Sequence, residues 1–157
     1  MEVFLYMKRI IIKVNQGRNY LFSTPTKPIE FLNGVSSLFF GLVYLINGST
    51  LNQLKIYLNF AYIGPIWIWW IVVFLGILQL NYMRRDTLDS NIKSALVMHT
   101  CALMWFVISI LFGSDYPPLS TGFFTYFWMS VVCSLTALQI DNQNTYELLI
   151  RKEIEET

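Results

Sequence analysis

Pro65–Met83, PIWIWWIVVFLGILQLNYM, carries no charged side chain, is entered through Gly64-Pro65 and is closed by Arg84-Arg85. About twenty consecutive uncharged, mostly apolar residues are what a helix needs to cross the hydrocarbon core of a bilayer. The tryptophans at one end and the arginines at the other give the run a direction, because indoles settle at the membrane interface and basic residues are retained in the cytoplasm. Every other segment can be placed against it.

Composition agrees with that reading. Of 157 residues, 55% are apolar and only 13% charged, about half the charged fraction of a soluble domain, so the chain cannot cover a water-facing surface. It reads as an all-α membrane protein, an antiparallel four-transmembrane-helix bundle with a short N-terminal segment and a charged C-terminal helix. The net charge of +1 leaves no basic footprint for nucleic acid. Cys101 and Cys133 both fall inside apolar runs without CxxC spacing, which argues against a disulfide framework and makes them small apolar packers.

The order of segments gives three regions: a basic cytoplasmic stretch over 1–27, a transmembrane domain over 28–140 and a charged tail over 141–157. In the first, Arg9–Val14 and Asn19–Phe22 are β-prone runs around Asn15-Gln16-Gly17-Arg18. The alternative is a short amphipathic segment on the inner leaflet. The region lacks a long apolar core and a small-residue cleavage site, so it is expected to stay on the chain. The first span runs from about 28 to 46, with Thr24-Pro25-Thr26-Lys27-Pro28 supplying a capping hydroxyl and an early proline, and with Asn47-Gly48 as its stop. A short interfacial helix follows within 49–63. The remaining spans fall at about 65–83, 92–112 and 121–140. The second and third are joined by a polar turn, and Pro117-Pro118 lies in the return to the fourth.

Orientation follows from the basic residues. Ten of the eleven, Lys8, Arg9, Lys13, Arg18, Lys27, Arg84, Arg85, Lys93, Arg151 and Lys152, fall on one side, and only Lys55 on the other. Both termini are therefore expected in the cytoplasm. Tyr57, Tyr62, Trp67, Trp69, Trp70, Tyr116, Tyr126 and Trp128 gather toward the opposite face and read as an outer aromatic belt.

At about 1.5 Å per residue, Asn33, Gln79, His99, Ser134 and Gln139 all come to the inner leaflet. Polar groups are expensive in hydrocarbon unless paired, so these five are expected to face inward as one buried polar layer. Small residues mark the faces through which helices approach: Gly34, Ser37 and Gly41 on the first span, Ala95 and Ala102 beside His99 on the third, Ser130 and Ala137 on the fourth. The layer is either a proton or ligand site or a structural hydrogen-bond cluster. With Glu30 in the first turn and no carboxylate at mid-depth, the structural reading is favoured.

The same inventory offers little chemistry. A metal could draw only on His99, Cys101 and Cys133, and residues two apart on a helix point to different faces. Ser134 and His99 lack a GxSxG turn and an orienting carboxylate. Neither an enzyme nor a cofactor is expected, so catalytic and metal residues are none.

Pro28-Ile29-Glu30 opening a span with Gly41-Leu42, Trp69-Trp70 running through Leu75-Gly76-Ile77-Leu78-Gln79-Leu80, Arg84-Arg85, and Pro118-Leu119-Ser120-Thr121-Gly122 followed by Tyr126 resemble small four-span membrane proteins of unknown function encoded by tailed bacteriophages and prophages. The resemblance covers about 28–139 and implies a bacterial inner-membrane setting, without implying a chemistry. The expected function is that of a non-enzymatic scaffold, envelope modifier or superinfection-exclusion factor. Its partners would be the lipid bilayer and either further copies of itself or another membrane protein. The alternative is a holin-like or effector pore, for which a continuous polar stripe along one helix would be needed.

Overall fold

The computed structural model describes residues 16–17, 19–51, 53, 60, 67–85, 87–113 and 121–155. Four helices carry the architecture: α1 (Lys27–Leu51), α2 (Trp67–Met83), α3 (Leu88–Gly113) and α4 (Thr121–Glu155). No strand occurs among the described residues. α1, α3 and α4 are long and apolar enough to cross a membrane, while α2, with 17 residues, is a shorter apolar helix.

Local chemistry sets the helix starts. The Thr26 carbonyl accepts the first helical N–H groups of α1, from Ile29 and Glu30, each at 3.0 Å, and Pro28 sits where its missing N–H is no loss. Thr87 caps α3, its hydroxyl accepting from the Ser90 N–H at 3.3 Å, the bond that satisfies an orphan donor at a helix start. Four residues separate Met83 from Leu88, so α2 and α3 turn back on each other. Ser90 Oγ secures the corner by donating to the Tyr82 carbonyl at 3.0 Å.

The contacts fix the directions. A Cβ placed on Gly34 would meet Leu80 and Gly76, and one on Gly41 would meet Val73 and Trp69, so α1 and α2 run antiparallel in close contact. Gly113 lies against Phe123 where α3 ends and α4 begins, and His99 pairs with Asp141 further along both, so α3 and α4 run antiparallel. Glu30 reaches Ser94 and Asn33 reaches Trp105, so α1 and α3 run in the same sense. The α1–α2 and α3–α4 pairs pack most extensively. Where the two pairs meet, grooves remain: one of about 380 Å³ between α1 and α4, another of about 270 Å³ between α2 and α3.

The outward surface is apolar. Leu32, Phe39, Ile46, Phe74, Leu96, Leu103 and Leu135 are all exposed. A soluble monomer rarely shows contiguous apolar surface on this scale.

Several expectations change here. The β-prone reading fails at 19–22, where 19–21 are helical and 22 is a turn. The described part of this segment attaches through Tyr20 instead, whose hydroxyl donates to the Met83 carbonyl and whose ring lies 3.9 Å beneath the Lys27 ammonium. Residues 1–15 lie outside the described residues. α1 does not stop at Asn47-Gly48 but continues to Leu51; a glycine inside a helix costs only about 1 kcal/mol, too little to end it. Most of the proposed interfacial helix lies outside the described residues. The tail is helical as expected, and its helix is the far part of α4, which runs unbroken from Thr121 to Glu155.

The aromatic belt also divides. Trp67, Trp70 and Trp128 are exposed, but Trp69 is buried, stacked on Tyr44 at 3.9 Å, and Tyr126 stacks on Trp105 and Phe112. These rings, with Phe40 and Phe60, form an aromatic core near that end. A period of 3.6 explains the division, since Trp69 and Trp70 are about 100° apart on the helix and cannot share a face. Tyr57, Tyr62 and Tyr116 lie outside the described residues.

Candidate functional site: a buried polar core

At the end of the molecule where α1 begins and α2 finishes, three helices contribute one polar side chain each to a closed interior group. Gln79 Nε2 donates to Glu30 Oε2 at 3.2 Å and to Ser94 Oγ at 2.8 Å, while the Ser94 hydroxyl donates to the same Glu30 oxygen. The bond directions are mutually determined. The carboxylate oxygen only accepts here, Ser94 gives it its one proton and accepts in turn from Gln79, and the Gln79 amide uses one N–H on each partner. Burial is nearly complete: relative exposure is 5% for Glu30, 0% for Gln79 and 2% for Ser94. Hydrogen bonding of this kind is the condition on which a carboxyl group is retained inside a membrane protein.

About one turn deeper, Asn33 gathers a second group. Its Oδ1 accepts from Trp105 Nε1 at 2.8 Å and from the Cys133 thiol at 3.3 Å, and its Nδ2 lies 3.3 Å from Met98 Sδ. Asn33 therefore ties α1 to both α3 and α4, as Glu30 ties α1 to α2 and α3. Among the described residues, Gln79 Oε1 and both amide atoms of Asn144 are buried without a hydrogen-bond partner. Four threonine hydroxyls bond within their own helix instead. Thr100, Thr125, Thr136 and Thr145 each donate to the carbonyl four residues earlier.

Of the five residues expected in one layer, Asn33 and Gln79 are central. His99 is not buried: it is exposed and pairs with Asp141, Nε2 to Oδ2 3.1 Å, across the outside of α3 and α4. Ser134 is half-buried and Gln139 exposed. Helix arithmetic supplies the reason. The buried face of α3 runs through Ser94, Met98, Cys101 and Trp105, centred about 130° around the helix from His99, with Ala95 and Ala102 between. The alanines mark the edge of that face rather than its middle. On α4 the buried row is Ser130, Cys133, Ala137, Ile140 and Asn144, about 80° from Ser134 and 140° from Gln139.

The small-residue faces do pack. Gly34, Ser37 and Gly41 are buried on α1, Ala95 and Ala102 on α3, and Ser130 and Ala137 on α4. Sequence reading left out Glu30 and Ser94. The signal for Glu30 was present, since Glu30, Asn33, Ser37 and Gly41 follow one another at three- and four-residue steps along one helix face. Among the described residues no three His, Cys, Asp or Glu side chains gather.

These elements define a helical protein with three helices suited to crossing a membrane, joined in its interior by hydrogen bonds. Comparison with protein-family models, curated proteins and solved structures finds no match.

Proposed function

We propose that this chain is a non-enzymatic integral protein of a bacterial inner membrane, of the kind tailed phages encode. On this reading all four helices cross the bilayer, both termini face the cytoplasm, and the protein works as a scaffold, envelope modifier or superinfection-exclusion factor through contacts with other proteins. The observation that carries it is the disposition of polarity. The polar side chains of α1, α2 and α3 are spent on one another in the Glu30–Gln79–Ser94 and Asn33 groups, and the outward positions are apolar. A pore-former needs a polar stripe presented to a channel, whereas this pattern suits a body that holds its own helices together.

The continuation of α4 supports a contact role. At about 1.5 Å per residue its 35 residues extend roughly 52 Å, more than 20 Å beyond what a hydrocarbon core of about 30 Å takes up. On the far part Tyr146, Leu149, Ile150 and Ile154 form an exposed apolar edge among charges. The test is inducible expression in bacteria with a potential-sensitive dye. Unchanged membrane potential at full expression is the expected result. Collapse within minutes that is lost in a Glu30→Gln, Gln79→Leu variant would replace this reading with the holin-like pore.

A further inference from the structure

Two sulfur atoms touch the Asn33 amide, and a third lies in the same buried cluster. Met98 Sδ lies 3.3 Å from its Nδ2 and Cys133 Sγ 3.3 Å from its Oδ1, and Cys101 belongs with both to one buried core. Met98 and Cys101 are three residues apart on α3 and so share a face, and Cys133 comes to them from α4. Met98 and Cys101 have 0% relative exposure and Cys133 1%. Sequence spacing gave no hint of this, because neither cysteine has a cysteine or histidine at metal-ligand spacing on its own helix.

We propose that Met98, Cys101 and Cys133 form a binding site for a soft monovalent metal ion, Cu(I), inside the helix core. Thiolate and thioether together are the donors that favour Cu(I), and thioether is a poor ligand for harder cations. Charge also favours it. Binding breaks one S–H bond and forms one Cu–S bond; the proton leaves to solvent and no electron is transferred. The second thiol and the thioether then coordinate as neutral donors, so the loaded site carries no net charge, the least costly state inside a membrane. Zinc, by contrast, holds four ligands in structural sites, and here a fourth would have to come from Asn33 Oδ1.

The groove between α1 and α4 offers a route in. Trp105, which covers Asn33, and Met129, one helical turn before Cys133, both line it.

The test uses the full chain in detergent micelles without oxygen, titrated against Cu(I) held by a coloured bicinchoninate chelator. The expected result is withdrawal of one copper per chain with a change in Trp105 fluorescence. A Cys101→Ser, Cys133→Ser variant should lose that uptake, and the volume-conserving Met98→Leu should weaken it roughly tenfold, the scale of losing a supporting group at a metal site. Helix content by circular dichroism and an unchanged elution volume establish that each variant is folded; should the double variant fail this control, Met98→Leu alone decides. Silver(I) should displace the copper. The proposal is overturned if the wild-type chain takes no copper from the chelator, if folded variants take as much, or if Zn(II) displaces the copper.

Discussion

Gly76 on α2 should be the least replaceable glycine of the chain. A Cβ at this position would sit 2.7 Å from the Gly34 carbonyl oxygen and 2.7 Å from the Leu38 backbone nitrogen. Ordinary van der Waals contact begins at about 3.4 Å, so α1 and α2 would have to part by 3.4 − 2.7, about 0.7 Å. Both obstructing atoms are backbone, and no rotamer change can relieve the clash. A gap of 0.5–1 Å forfeits a quarter to a half of each dispersion contact along the seam, and overpacking of this kind typically costs about 1–3 kcal/mol. Gly48→Ala is the control. Only Tyr44 Cδ1, at 3.7 Å, is near, so this change should leave stability equal or raise it by up to about 1 kcal/mol through helix propensity. Gly34→Ala should fall between, because the nearest atoms, at 2.9 Å, belong to the flexible Leu80 side chain. The assay is reversible unfolding in mixed micelles by added dodecyl sulfate, followed by far-ultraviolet circular dichroism. Equal midpoints for Gly76→Ala and the wild type would refute the close α1–α2 contact.

The outer pair and the tryptophans give two further expectations. His99→Ala and Asp141→Ala should each shift stability by less than about 1 kcal/mol, because a half-exposed polar contact between side chains is worth little, and their double variant should equal either single one in the same unfolding assay. Single-tryptophan chains in vesicles with brominated acyl chains should divide by burial. Trp70 and Trp128 should be strongly quenched, and Trp69, stacked inside on Tyr44, weakly.

Helix positions were readable from hydropathy because a membrane-crossing run leaves a signal about twenty residues long. Boundaries were less readable. Gly48 and the polar turn before Ile92 look like interruptions, but a helix end is decided by caps and neighbours rather than by one residue. For the polar core, depth alone placed Asn33 and Gln79, while rotation about the helix axis decided the others. His99 and Cys101 are two residues apart and nearly equal in depth, yet one is exposed and the other fully buried. Rotation is a property of which neighbour a face meets, and each helix here is apolar almost all round, so the pattern of a single helix specifies it weakly. Glu30 was passed over because a first-turn position suggested an exposed charge. The packing of α2 and α3 over that turn encloses it.

Glu30, Gln79 and Ser94 act as one group that joins α1, α2 and α3. A double-mutant cycle of Glu30→Ala and Gln79→Ala, read in the same unfolding assay, addresses this most directly. Each single variant should lose about 1–3 kcal/mol by stranding a buried partner, and the pair should show a coupling of roughly 0.6–1.7 kcal/mol, the range of interhelical hydrogen bonds in a membrane protein. Strictly additive losses, with no coupling between the two positions, would contradict the account.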